Sequence, residues 1–237
     1  MSIKFAIFDF DGTLYDTMYI WDLVGETYIR SIGLEPRPSL REDVRAMSLY
    51  QSACYLQKEY GVNLSVDQII KGINQTIETF YINQVQPKAH AGEFLDQLRC
   101  AGIRMCIATA TDRYLIEAAL KRCGLDEYFE AIFTCSEVGQ GKDQPDIFRR
   151  AMEYFAAERN ECVVFEDAIH AAQTAKRDGF ILAAVYDSSE VRQEELRQLA
   201  DCYIADYSHA EEFWKLAAES DQNPAIGLAS KTRIFKQ

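Results

Sequence analysis

The chain has 237 residues, 48% of them hydrophobic and 12% aromatic, enough for one large domain or for a domain carrying a sizeable insertion. Its formal net charge of −12 excludes nonspecific attraction to nucleic acid or to an anionic membrane surface. An anionic substrate would therefore have to meet a local positive site. Seven cysteines, odd in number and with no C-x-x-C pair, suggest neither a zinc site nor a disulfide framework, and reduced thiols are expected.

The first predicted element is a buried strand, Ile3-Lys4-Phe5-Ala6-Ile7-Phe8. It is too short for a signal peptide or a membrane span and is interrupted by Lys4, so a soluble, cytoplasmic chain is expected. Asp9-Phe10-Asp11-Gly12-Thr13-Leu14-Tyr15-Asp16 comes next. Strand side chains alternate faces, so Asp9 and Asp11 point the same way at the strand tip. Two acids there repel each other and are costly to desolvate, which a cation or a catalytic task would explain.

Helical spacing then runs near 18–32, 40–59 and 65–83, with breaks at Gly33–Ser39 and Gly61–Ser65. Ser65-Val66-Asp67-Gln68 fits a capping box. From Pro87 the pattern alternates. Helices at 91–100, 112–123, 145–157, 168–178 and near 189–199 separate strands at 103–109, 131–135, 162–166, 180–185 and 203–205. Such alternation means βαβ units and a parallel sheet covered on both faces. The fold class is thus α/β: a Rossmann-like parallel sheet with helices on both faces and an inserted all-helical cap. The expected division is 1–16 and 87–218 for the core, 17–86 for the cap and 219–237 for a C-terminal extension carrying Lys231, Arg233 and Lys236.

Ligands of open α/β sheets bind beyond the carboxyl ends of the strands. There the chain presents Asp9 and Asp11, then Thr109-Ala110-Thr111-Asp112, then Gly139-Gln140-Gly141-Lys142, and finally Glu166-Asp167. Paired acids suit Mg²⁺, which takes oxygen ligands and keeps several waters. A lysine, a hydroxyl and backbone N–H groups suit a phosphate dianion. An aspartate can serve as nucleophile and a second carboxyl as general acid.

These residues resemble the four motifs of the haloacid dehalogenase superfamily, in the branch with a helical cap after the first strand. Asp9-x-Asp11-Gly12-Thr13-Leu14-x-Asp16 matches the first motif, Thr109 the second, Lys142 with Pro145-Asp146 the third, and Glu166-Asp167 the fourth. The resemblance, over about residues 3–207, implies Asp9 as nucleophile and metal ligand. It implies Asp11 as acid and base, with its backbone carbonyl on the metal. Thr109, Ala110 and Lys142 would hold the phosphoryl group. Asp167 would bind Mg²⁺, with Glu166 as a further ligand or support. Asp16 would brace the hinge. Ala168 and Ala171 stand where the family usually has Ser and Gly, and Asp143 where Pro is common.

Other candidates have plainer readings. His170 is read as a helix-surface residue and His90 as a hinge-side one. Tyr15 and Tyr19 adjoin the hinge and are candidates for the pocket wall, while Trp21 and Tyr50 are read as cap packing. Arg45 and Lys58 are cap cations, read as solvated charges. The expected function is a Mg²⁺-dependent phosphatase acting on a small phosphorylated metabolite, as a monomer or homodimer, with no nucleic-acid or membrane partner. The alternative is a mutase of the β-phosphoglucomutase type, and a third reading is a non-catalytic module that binds a phosphometabolite. Asp11 argues against the dehalogenase branch.

Overall fold

The computed structural model describes residues 3–44 and 47–222. Its six strands are β1 (Phe5–Phe8), β2 (Arg104–Thr109), β3 (Phe129–Thr134), β4 (Cys162–Glu166), β5 (Ile181–Val185) and β6 (Cys202–Ile204). They form one sheet in the order β3-β2-β1-β4-β5-β6, parallel throughout. The continuous apolar runs of β1 and β4 are buried on both faces, as inner strands of a parallel sheet require.

Alternate side chains build two cores. Phe8 and Phe165 stack at 4.2 Å on one face, under α5 (Ala91–Cys100) and α6 (Arg113–Cys123). Ile7 and Val164 face the other way, toward α8 (Asp146–Tyr154) and α9 (Ile169–Arg177). The helices between α6 and α8, and after α9, are α7 (Cys135–Val138) and α10 (Gln193–Leu199). The α/β class and both helical layers are as expected.

The inserted block contains α1 (Met18–Ser31), α2 (Leu40–Val44), α3 (Leu49–Glu59) and α4 (Val66–Asn83), packed on one another. Its two connections run side by side. Tyr15 bridges Pro87, Asp16 N–H donates to the Gln86 carbonyl at 3.1 Å, and Lys88 N–H donates to the Leu14 carbonyl at 2.9 Å.

Three elements differ from expectation. The segment 40–59 is two helices, because Ser48 caps α3 through a capping box with Gln51. The third strand starts earlier and stops at Thr134, which caps α7 through Glu137. A helix that the sequence pattern does not announce, α11 (Glu211–Gln222), buries Phe213 against Phe94 and Phe165 at 5.5 and 5.4 Å. Lys231, Arg233 and Lys236 lie outside the described residues. All seven cysteines are unpaired. No helix among the described residues is long and apolar enough to cross a membrane.

Candidate active site

The chain builds β1, β2 and β3 in one direction, then returns to place β4 on the other side of β1. The crevice at that reversal, beyond the carboxyl ends of β1 and β4, is where such sheets bind ligands. Asp9 leaves β1 there, its N–H donating to the Phe165 carbonyl at 3.0 Å. Gly12 then turns the chain at φ +80°. A Cβ on Gly12 would overlap the Asp167 carboxylate and come within 2.8 Å of Met18 Cγ. Gly12→Ala is therefore expected to cost about 1–3 kcal/mol and to displace Asp167. Urea unfolding and divalent-ion titration of the variant check both effects.

Asp9, Glu166 and Asp167 are buried, and each offers an oxygen within 4.8 Å of the others. Lys142 reaches into this cluster, with Nζ 2.5 Å from Asp9 Oδ1 and 2.7 Å from Glu166 Oε1. Glu166 Oε2 accepts from the N–H groups of Asp167 and Ala168 at 3.0 and 3.3 Å, so both its oxygens have protein partners. Asp167 Oδ1 accepts from the Thr13 hydroxyl at 2.7 Å.

Three acids and one lysine leave an excess of negative charge. Burial, then the Glu166 charge, pushes the Asp9 carboxyl up to about 8, against the pull of Lys142. Burial, Glu166 and Asp9 hold Asp167 well above the usual carboxylate range. Burial alone would lower the Lys142 ammonium, but Asp9 and Glu166 outweigh it and hold it above the ordinary lysine value. A buried, oxygen-only cluster with surplus negative charge fits a divalent cation.

These shifts fix the sign of the pH dependence. Folded carboxyls raised above their unfolded value stabilise the metal-free protein only at low pH, and that contribution is lost as pH rises from about 4 toward about 8. A cation must displace the proton on Asp9. Divalent-ion affinity is therefore expected to rise between pH 6 and 8, by up to about tenfold per unit for each proton released. Calorimetry in buffers of different ionisation enthalpy counts those protons.

Asp11 stands apart from the cluster. Its Oδ1 accepts from the Thr17 hydroxyl at 2.7 Å and from the Tyr81 hydroxyl, and its Oδ2 accepts from the Thr111 hydroxyl at 2.6 Å. Trp21 Nε1–H in turn donates to the Tyr81 oxygen at 2.7 Å. Burial and the Asp11 charge hold the Tyr81 phenol well above its ordinary value, so it stays a donor. Asp11 is thus held jointly by the hinge, by β2's end and by α4 of the cap. Thr17, Tyr81 and Thr111 carry no motif that singles them out in the sequence. Thr111 had a weaker signal, since it lies two residues after Thr109 on an extended path.

A cavity of about 200 Å³ connects these groups to the cap. Asp9, Asp11, Ala110, Lys142, Glu166 and Asp167 all line it. Thr109 does not: it is fully buried, and its Oγ1 accepts from Thr111 N–H at 3.1 Å. His170 lines the cavity rather than sitting on an outer helix surface, and burial lowers its pKa, keeping the ring neutral. His90 is exposed, beside Glu93 at 3.8 Å. Tyr15 is a core ring stacked on Phe10 at 4.2 Å, and Tyr19 is exposed, so neither lines the cavity. Trp21 lines it and Tyr50 is exposed. Lys58 points to solvent beside Glu59. Arg45 lies outside the described residues, and among those described the cap cation lining the cavity is Arg41. Asp143 is exposed and absent from the lining.

Residues 3–179 match the model of the haloacid dehalogenase-like hydrolase family. The chain belongs to that family. Protein CbbY of Rhodobacter capsulatus is 28% identical over 223 residues, covering 89% of this chain and 96% of that protein. Pyrophosphatase PpaX of Bacillus cereus (strain AH820) is 25% identical over 189 residues, covering 78% and 84%. A crystal structure of a CbbY variant from Rhodobacter sphaeroides in complex with xylulose-(1,5)bisphosphate superposes with a TM-score of 0.76 at 20% identity, covering 88% and 96%. At that identity the superposition shows the fold alone. The present chain is a hydrolase of this family, with its four motifs gathered at one sheet edge.

Proposed function

We propose that this hydrolase is a Mg²⁺-dependent phosphatase that cleaves a small phosphomonoester through an aspartyl-phosphate on Asp9. The observation that carries the reading is the contact of Lys142 with Asp9 and Glu166, beside Asp167, with Asp11 facing the same cavity. The pyrophosphatase relative and the bisphosphate-bound CbbY structure support phosphate chemistry.

Asp9, Asp167 and the Asp11 main-chain carbonyl would hold the cation. When bound, it supplies the positive charge that lets Asp9 ionise at neutral pH and offsets charge on the phosphoryl oxygens. Asp9 attacks phosphorus in line with the leaving oxygen, and Lys142 faces the charge spread over the transferring group. Glu166 keeps Lys142 aimed there. Thr109 fixes the backbone that leads to Thr111 and Ala110 at the phosphoryl pocket. Asp11 gives its proton to the leaving alkoxide, then takes one from the water that releases phosphate. Its three partners are hydroxyls, which can donate or accept, so they serve both its charged and its neutral form. Uncatalysed phosphomonoester hydrolysis is slow enough to demand up to about 10²¹-fold acceleration, which suits several groups acting together.

The mutase alternative is not favoured: the family matched is one of hydrolases, and one relative is named a pyrophosphatase. Phosphate release from a panel of phosphomonoesters, with and without Mg²⁺, tests the proposal. Metal-dependent release without isomer formation from a hexose 1-phosphate is expected. Isomer formation without net phosphate release would overturn it.

A further inference from the structure

The two halves of the cavity have opposite chemistry. The core supplies most of its charge: Asp9, Asp11, Lys142, Glu166 and Asp167. The cap supplies Met18, Trp21, Val24, Val44, Leu49 and Ile73, with Met47 between α2 and α3. The polar groups that the cap adds among the described residues are Asp22, Arg41 and Ser52. Two of these are paired with each other, the Arg41 guanidinium lying 2.6 Å from Asp22 Oδ2. A further donor on this wall, the Trp21 indole N–H, is committed to Tyr81 at 2.7 Å, which leaves the Ser52 hydroxyl as the remaining donor among the described cap residues that line the cavity.

That arrangement is hostile to a polyol. Each hydroxyl of a sugar phosphate would lose water on entering and find few partners among the described residues of the cap side. It is hostile to a second phosphate as well, since a distal anion at Arg41 would meet Asp22 in the same place. An apolar carbon skeleton meets none of these penalties and gains from burial on Met, Leu, Ile and Trp surfaces. Met47 and Met18, being unbranched, can adapt to its outline.

We infer that the substrate is a monophosphate ester of an apolar alcohol, alkyl or arylmethyl, and neither a sugar phosphate nor a bisphosphate. This rests on the phosphatase reading, with the phosphate on the core acids and the alcohol carbon skeleton under the cap.

The test is a chain-length series. The kcat/KM of ethyl, propyl, butyl and pentyl phosphate is measured with Mg²⁺, alongside benzyl phosphate, glucose 6-phosphate and fructose 1,6-bisphosphate. Benzyl phosphate is used rather than phenyl phosphate, whose leaving group is intrinsically more reactive. Binding of the matching alkylphosphonates to Asp9→Asn protein with Mg²⁺ is followed by calorimetry. Each added methylene is expected to raise kcat/KM and tighten phosphonate binding by about fourfold until the cavity is full. Benzyl phosphate is expected to exceed glucose 6-phosphate by at least about 100-fold, the worth of a few buried methylenes. A flat series, or a preference for the sugar phosphate or the bisphosphate, overturns the inference while leaving the phosphatase reading intact. A rising phosphonate series with no ester hydrolysed overturns the phosphatase reading and upholds the apolar ligand class. Neither binding nor turnover overturns both.

Discussion

Asp9→Asn is expected to lower kcat for phosphomonoester hydrolysis by at least about 10⁴-fold, the scale seen when a nucleophile acting within a catalytic unit is removed. Asparagine keeps the shape of the carboxylate but cannot form the acyl phosphate. The fold is expected to survive. Asp9 is one of three buried acids, and Glu166 and Asp167 both lose a repulsive neighbour when its charge is removed. Lys142 loses one partner but keeps Glu166 at 2.7 Å. Unfolding at pH 8 should therefore show stability equal to or above that of the parent protein, with the activity loss undiminished. A variant that folds and keeps kcat within about 10³-fold of the parent protein would contradict the role given to Asp9.

Lys142→Met has the opposite signature. It leaves Asp9 and Glu166 buried without their cation, and removing one partner of a buried pair typically costs about 3–5 kcal/mol. The loss depends on pH with a fixed sign. A carboxyl raised further in the folded state must hold its proton against rising pH, so the variant is most destabilised near pH 8 and recovers toward pH 5. Burial already pushes Asp9 up to about 8, and losing Lys142, which lowers it, raises it further. Chemical denaturation at pH 5, 6.5 and 8 measures this trend, and a pH-independent deficit would contradict it. Activity is expected to fall by at least about 10³-fold, as a cation on a transferring phosphoryl group commonly contributes that much.

The sheet and its charged edge were legible in the sequence for one physical reason. Inner parallel strands are apolar on both faces, so β1 and β4 stand out, and the residues just beyond each parallel strand must sit at one edge of the sheet. Asp9, Lys142, Glu166 and Asp167 meet there as that logic requires. The cap side was not legible. Ile69, Ile73 and Ile77 recur every four residues on α4 and are alike in sequence, yet Ile73 lines the cavity. An apolar stripe reports that a helix face is covered, and does not say whether by protein or by substrate.

The same ambiguity hid Tyr81, one turn further along, whose hydroxyl reaches Asp11 across the domain junction. Arg41 differs from Lys58 only through tertiary placement, since helical cations are solvated by default. Thr109 illustrates the reverse case. Its position was marked by the motif, but its hydroxyl is turned to the backbone of Thr111, and Thr111 is the hydroxyl that meets Asp11. α11 escaped notice because its burial depends on Phe213 meeting Phe94, which is over a hundred positions away in the chain.

The phosphoryl group resting on Asp9 is the point on which the mechanism turns, and it can be trapped. Hydroxylamine attacks the carbonyl of an acyl phosphate and converts that one carboxyl into a hydroxamate. The protein is mixed with substrate and Mg²⁺, quenched into hydroxylamine on a subsecond timescale, digested and mapped by mass spectrometry. The expected result is a hydroxamate at Asp9, dependent on both substrate and metal and absent from Asp9→Asn protein. Full turnover with no hydroxamate, or with one at Asp11 or Asp167 instead, would contradict it.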